Sequence, residues 1–248
     1  MEPRVSVAAL QQMKRDGRKI VGVVAWDYQI AQIVDRAGVD IVSVGDSVGL
    51  NLWGQPTETE VTVEEMLIVC KAVRRGVERA LVSCDVPFGP VQQGTEAAVG
   101  AAIRLAEEGG ADMVKVHGAS DTVRAIARAG IPVFAEFHGK QIDTEKLVDA
   151  ARRLEDAGAS LLDFRHSGPV AGAAVVRAVS IPVIGGLGGG PWLDGRMRMV
   201  QTAIGYAASA LDAETESYAN VARATLDAIT AYADDVRAGR HLKGQRPG

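Results

Sequence analysis

The chain has 248 residues, with 27 basic and 31 acidic side chains, a formal net charge of −4, and 47 % apolar and 23 % charged residues. That balance belongs to a soluble globular protein and lacks the basic face that nucleic-acid binding needs. No run approaches the roughly 20 apolar residues that cross a bilayer, the opening MEPRVSVAALQQMKRDG has no secretory character, and Cys70 and Cys84 alone make no disulfide framework, so a cytoplasmic protein is expected.

In chain order, one unit recurs. A helix with a charged outer face ends in Ala-Gly or Gly-Gly, and a short β-branched run follows. The unit appears as Ala37-Gly38 before DIVSVGD, Gly109-Gly110 before MVKVHG, Ala129-Gly130 before IPVFAEFH and Ala157-Gly158 before SLLDFRH. Glycine in the left-handed conformation ends a helix, and a continuous apolar run suits a strand buried on both faces. The pattern predicts strands at 20–26, 40–46, 80–86, 113–118, 132–138, 160–166 and 182–188. Helices are predicted near 6–16, 28–37, 62–76, 95–108, 120–129, 143–157, 169–178, 195–209 and 214–238. An eighth strand is not distinct; Thr202–Ala207 is the candidate, although that stretch reads more easily as helix. Strands alternating with helices imply parallel βαβ units. One (β/α)8 TIM barrel over residues 1–248 is expected, with an N-terminal capping helix and a polar tail at 240–248. An open doubly wound sheet is the second choice.

Buried strands should be apolar to their ends, yet polar residues collect there: Asp27, Asp46-Ser47, Asp85, Lys115, His117, Glu136, His138 and Arg165-His166. In a parallel barrel those ends converge on the face where catalytic groups sit. A single such residue is more often a cap or a loop hydrogen bond; a polar end on every clear strand before the glycine-rich seventh makes an active-site ring. Asp46 and Asp85 would repel unless a proton or a divalent cation lay between them. A cation held by two carboxylates keeps positions open for a bidentate 2-oxo acid, polarising its ketone and holding its enolate. Lys115 would meet the substrate carboxylate, or be salt-bridged to the aspartates with no metal present. The stretch GGLGGGPWLDG (185–195) offers backbone amides before the predicted helix as an anion cradle, or is a flexible loop.

At these residues the sequence resembles ketopantoate hydroxymethyltransferase. KIVGVVAWDY (19–28), AGVDIVSVGDSVG (37–49), VTVEEM (61–66), KAVRRG (71–76), ALVSCDVPFG (80–89), EEGGADMVKV (107–116), AGIPV (129–133), DAGAS (156–160), IPVIGGLGGG and Asp194-Gly195 follow that family in order. The family belongs to the phosphoenolpyruvate mutase/isocitrate lyase superfamily of (β/α)8 barrels. The resemblance implies magnesium-dependent transfer of a hydroxymethyl group from methylenetetrahydrofolate to 3-methyl-2-oxobutanoate in pantothenate biosynthesis, by a homo-oligomer. It makes Asp46 and Asp85 metal ligands and sets Ser47 and Lys115 on the substrate carboxylate and ketone.

Several positions depart from the family pattern. His117 stands in VKVHG where the family has a metal-proximal glutamate. Glu136 falls where the family has a histidine, and much of the glycine-rich loop that follows is missing. Arg165 stands at the family's general-base glutamate, and Cys70 replaces a histidine, for which a helix-core cysteine is an adequate explanation. A guanidinium cannot accept the C3 proton, so Arg165 suits an extra carboxylate or phosphate. The base is then His138, His166 or Glu136. Histidines in the metal sphere would favour zinc, manganese or iron over magnesium, which prefers oxygen; magnesium or manganese leads, magnesium first, because both aspartates are present. The alternatives are a 2-oxo acid lyase, hydrolase or decarboxylase of the same superfamily, working through a metal-bound enolate, and a non-catalytic binding barrel. Alanines with Leu226, Ile229 and Tyr232 at helical spacing suggest that the last helix packs on its own barrel or on a neighbouring copy.

Overall fold

A computed structural model describes residues 3–117, 119–140, 142–186, 189–212, 216–240 and 243–244. The chain forms two compact units, Met1–Arg198 and Met199–Gly248. The first begins with α1 (Val7–Arg15), β1 (Ile20–Val24), α2 (Tyr28–Arg36) and β2 (Ile41–Val44). A π-helical turn (Gly49–Trp53) and a 3-10 turn (Glu58–Glu60) lead to α3 (Val63–Gly76) and β3 (Leu81–Asp85). Next come α4 (Phe88–Gln93), α5 (Thr95–Glu107), β4 (Met113–His117), α6 (Ser120–Arg128), β5 (Val133–His138) and α7 (Thr144–Asp156). β6 (Ala159–Arg165), α8 (Pro169–Ala178), β7 (Val183–Gly185) and β8 (Gly195–Met199) complete the sheet. The second unit holds α9 (Val200–Ala203) and α10 (Val221–Arg237), and no residue of α10 is buried.

The eight strands close into a parallel barrel in sequence order, so the TIM barrel holds and the open sheet does not. Helix ends follow the glycine rule: Gly38 and Gly158 take φ of 84° and 100°. Helix starts are capped as their sequences suggest. Thr62 and Glu65 form a reciprocal capping box on α3, and Asp27 accepts from the Ile30 amide at the start of α2. Asp27 is therefore a cap rather than a site residue.

Strand periodicity builds the barrel interior in layers. Ile20, Ile41, Leu81, Met113, Phe134, Leu161 and Ile184 form the lowest layer and join Val5, Leu10 and Met13 in one buried cluster. The expected N-terminal capping helix is thus α1, closing the amino end. Two residues further along β2 to β6 the interior turns polar. Ser43 and Ser83 share a 2.8 Å hydrogen bond, and Lys115, Glu136 and Asp163 lie at the same height. The closed lower end and the polar upper end fix where chemistry can occur.

The predicted helix at 195–209 is corrected: residues 195–199 are β8, Val200–Ala203 is a short α-helix, and a 3-10 turn follows at Ala208–Leu211. The candidate eighth strand at Thr202–Ala207 is likewise displaced. Gly195 explains the placement, because a Cβ there would run into the Ile20 carbonyl oxygen on β1. The last helix starts at Val221 rather than 214, which lies outside the described residues. Leu187 and Gly188, at the end of the predicted seventh strand, and Gly118, at the end of the fourth, also lie outside them.

Candidate active site

Parallel register brings the carboxyl ends of β3 to β6 together. Asp85 pairs with Lys115, His117 with Glu136, Glu136 with Asp163, and His138 with Arg165. The inward face of β4 reads Met113, Lys115, His117, and that of β6 reads Leu161, Asp163, Arg165. Every second residue therefore climbs from apolar floor to polar mouth.

Lys115 is the hub. Its Nζ lies 2.7 Å from Glu136 Oε2, 3.2 Å from Asp163 Oδ2 and 3.7 Å from Asp85 Oδ2. Burial alone would lower its pKa, but Asp85, Asp163 and Glu136 outweigh it and hold the ammonium well above its usual range. Glu136 is almost wholly buried, and its Oε1 accepts from Arg165 Nη1 at 2.7 Å. Burial pushes the Glu136 carboxyl up, yet Lys115, His117 and Arg165 hold it down at about 2. A carboxylate held so firmly as an anion is an anchor and a poor proton acceptor.

Asp46 and Asp85 sit beside each other. The Asp46 backbone N–H donates to the Asp85 carboxylate. Burial and then the Asp85 charge raise Asp46 to about 7, with Glu58 adding to the effect. Burial also raises Asp85 to about 6, against the pull of Lys115. Asp85 Oδ1 is buried with no hydrogen-bond partner. A Cβ on Gly45 would lie 3.0 Å from Ser47 Oγ and 3.7 Å from Asp85 Oδ2; glycine there lets the hydroxyl and the carboxylate share one corner. Trp26, fully buried, donates its Nε1–H to the Gly45 carbonyl at 2.8 Å and fixes that turn.

The histidines form a separate group on the mouth. His117 Nδ1 lies 3.2 Å and His138 Nε2 3.4 Å from Glu136 Oε1. Their rings stack at 6.0 Å, and His138 stacks on His166 at 6.5 Å. Burial lowers the His138 pKa and Arg165 adds to this; Glu136 pulls the other way, and the net effect favours the neutral imidazole. His166 has φ of 55°, a left-handed backbone in a residue other than glycine.

The predicted ring is largely assembled. Lys115, Glu136, His117, His138 and Arg165 meet directly, Asp85 and Asp46 adjoin them, Ser47 faces Asp85, and His166 joins through its ring. His117 stands with Glu136 and His138 rather than between the aspartates. Asp163 is the member sequence reasoning passed over; it is buried, faces Lys115, and accepts from the Gly186 amide at 3.3 Å. The signal was its place two residues before Arg165 on the inward face. The expected cradle at 185–195 leads into β8 and not a helix, so no helix dipole supports it. Cys70 is buried within α3, as a helix-core cysteine.

The donor set fits a divalent cation. With all four ionised, Asp46, Asp85, Glu136 and Asp163 outnumber Lys115 and Arg165 by two; beside burial, that mutual repulsion raises the Asp46 and Asp85 carboxyls, and a divalent cation would neutralise it. The unpartnered Asp85 oxygen faces the same deficit.

A family model described as ketopantoate hydroxymethyltransferase matches residues 4–242. The chain belongs to that family. A 3-methyl-2-oxobutanoate hydroxymethyltransferase of Cyanothece sp. is 35 % identical over 94 % of this chain and 96 % of its own length. Among solved structures, phosphonopyruvate hydrolase in complex with oxalate and Mg2+ superposes with a TM-score of 0.64 at 15 % identity, over 98 % of this chain and 91 % of the other. A 2,3-dimethylmalate lyase, described as a PEP mutase/isocitrate lyase superfamily member, gives 0.63 at 16 % identity, over 97 % of this chain and all of the other. At such identities these two likenesses speak for the barrel alone. The family places the chain among enzymes, and no helix of the described residues is long and apolar enough to cross a membrane.

Proposed function

We propose that this protein transfers a hydroxymethyl group from methylenetetrahydrofolate to 3-methyl-2-oxobutanoate with Mg2+, in the cytoplasm, as a step of pantothenate biosynthesis. One observation carries the chemistry: two adjacent carboxylates, one with a buried unpartnered oxygen, beside a lysine charged under all ordinary conditions. Asp46 and Asp85 would hold the cation. Bound there, it supplies the Lewis acidity that polarises the ketone of a 2-oxo acid.

The chain's own residues do the rest. Ser47 and Lys115 hold the substrate carboxylate and the ketone oxygen. Three acids around Lys115 keep it protonated, so it binds as a cation and never acts as the base. Glu136, an anion down to about pH 2, orients His138 and Arg165. His138 is the proton acceptor in this reading, because it is kept neutral and sits at the solvent side of the ring. Water adds to the methylene carbon and both C–N bonds to the folate break, giving tetrahydrofolate and a formaldehyde-level unit. His138 takes the C3 proton, and the C3–H electron pair forms the new C–C bond to that carbon. Its oxygen, which came from water, takes up a proton as the new hydroxyl. Arg165, with its guanidinium a quarter exposed, meets an anionic group of either substrate. The protein is taken as a homo-oligomer, a point that light scattering decides.

Purified protein with Mg2+, 3-methyl-2-oxobutanoate and methylenetetrahydrofolate should give the hydroxymethylated keto acid and tetrahydrofolate in equal amounts. Cleavage of a longer 2-oxo acid without folate, and no hydroxymethyl product, would contradict this assignment in favour of a lyase.

A further inference from the structure

The histidine group on the mouth is not needed to hold the cation assigned to Asp46 and Asp85, and its geometry has its own logic. One nitrogen each of His117 and His138 and one oxygen of Glu136 all lie within 4.8 Å of one another. A tetrahedral zinc with bonds of about 2.0–2.1 Å sets its ligand atoms roughly 3.3–3.4 Å apart. The two edges at Glu136 Oε1, 3.2 Å to His117 Nδ1 and 3.4 Å to His138 Nε2, already match. We propose that His117, Glu136 and His138 form a second cation site, separate from the aspartate pair, that takes a borderline dication of the zinc class.

Three further features suit that role. The ligands are two imidazoles and a carboxylate, a set that prefers zinc, cobalt or manganese to magnesium. Glu136 is held from behind: Lys115 binds Oε2 and Arg165 binds Oε1, each at 2.7 Å, which is how ligating carboxylates are fixed. The imidazoles are about half exposed, so an ion can enter from solvent and keep water on its open side. The nearby positive charges of Lys115 and Arg165 oppose an ion. Asp163 and Asp85, both on Lys115, offset part of that repulsion. When loaded, the site withdraws His138 from proton transfer, so this ion would oppose the activity proposed above.

The test needs neither substrate nor turnover, so its failure is distinguishable from failure of the proposed reaction. Full-length protein is freed of metal with a chelator and titrated with Zn2+ by calorimetry in excess Mg2+; Co2+ is then bound and its visible absorption recorded. The expected result is one zinc per chain and a cobalt spectrum of mixed nitrogen and oxygen ligation. His117→Ala and His138→Ala should each weaken zinc by more than the roughly 10–100-fold that loss of an outer-shell partner costs. Asp46→Asn with Asp85→Asn removes Asp85's offset of the Lys115 charge but no proposed ligand, so it should weaken zinc by less than the roughly 10–100-fold that loss of an outer-shell partner costs, and by less than either histidine variant. Thermal melts check that each variant is folded, and His138→Gln replaces any that is not. No zinc uptake in the presence of Mg2+, or zinc uptake lost in the aspartate variant and kept in the histidine variants, would overturn the proposal.

Discussion

Lys115 shows how one side chain can serve stability and chemistry together. Three carboxylates lie within 3.7 Å of its ammonium, and two of them are almost fully buried. Removing the cation strands those charges. Lys115→Met should therefore cost about 3–5 kcal/mol in urea denaturation and abolish turnover, whereas an ammonium that merely gripped substrate would leave the denaturation midpoint unchanged. Asp163 gives a finer test. It pairs with Lys115 at 3.2 Å and touches no expected substrate atom, so Asp163→Asn should lower kcat about 100-fold through misplacement of the lysine with little change in the melting curve. Lys115, Asp85 and Glu136 were legible from the sequence because charged residues inside apolar runs need a reason. Asp163 obeys the same rule, but it lies one layer below the strand ends on which attention fell. The grouping of His117 with His138 was not legible, because it depends on barrel register.

Among the elements, β2 to β6 read clearly because they are buried on both faces for most of their length, whereas β1 leaves Val21 exposed. Such strands are continuous apolar runs. β8 differs: Gly195-Arg196-Met197-Arg198-Met199 alternates, with Met197 buried in the barrel core and Arg196 exposed. Period two was present in those five residues, but the polar positions let the stretch be read into the helix that follows. The seam between β8 and β1 depends on close approach at Gly195. Gly195→Ala should force the two strands apart and cost about 1–3 kcal/mol by overpacking, measured by urea denaturation. An unchanged midpoint would mean that the seam is looser than described.

For the whole molecule, a closed apolar floor under α1 and a polar mouth rich in acid make stability depend on pH and on metal. Without a cation, Asp46 keeps its proton up to about pH 7 in the folded protein against 3.8 for the free side chain, and Asp85 up to about 6. Folding therefore takes up protons between those values, so the stability of metal-free protein falls as pH rises from about 4 to 7. Melting temperatures across that range should show the fall, Mg2+ should reverse it near pH 7, and Asp46→Asn should flatten it. A metal-free protein that gained stability toward pH 7 would show that these carboxylates are already neutralised. The barrel itself was readable from the repeating helix–glycine–strand unit, and the family from ordered blocks such as VGDS and D-x-PFG; closure by β8 had to come from the fold.

In the proposed reaction the aspartate pair, loaded with a divalent cation, makes the C3 hydrogen of a 2-oxo acid removable by a base of this chain. Deuterium uptake at C3 of 3-methyl-2-oxobutanoate in heavy water, followed by proton NMR without folate, measures that step alone. Wild-type protein with Mg2+ should exchange the hydrogen, while chelator-treated protein and Asp85→Asn should not. Exchange that persisted in chelator-treated Asp85→Asn protein, or that failed to occur in the Mg2+-loaded wild type, would contradict the account.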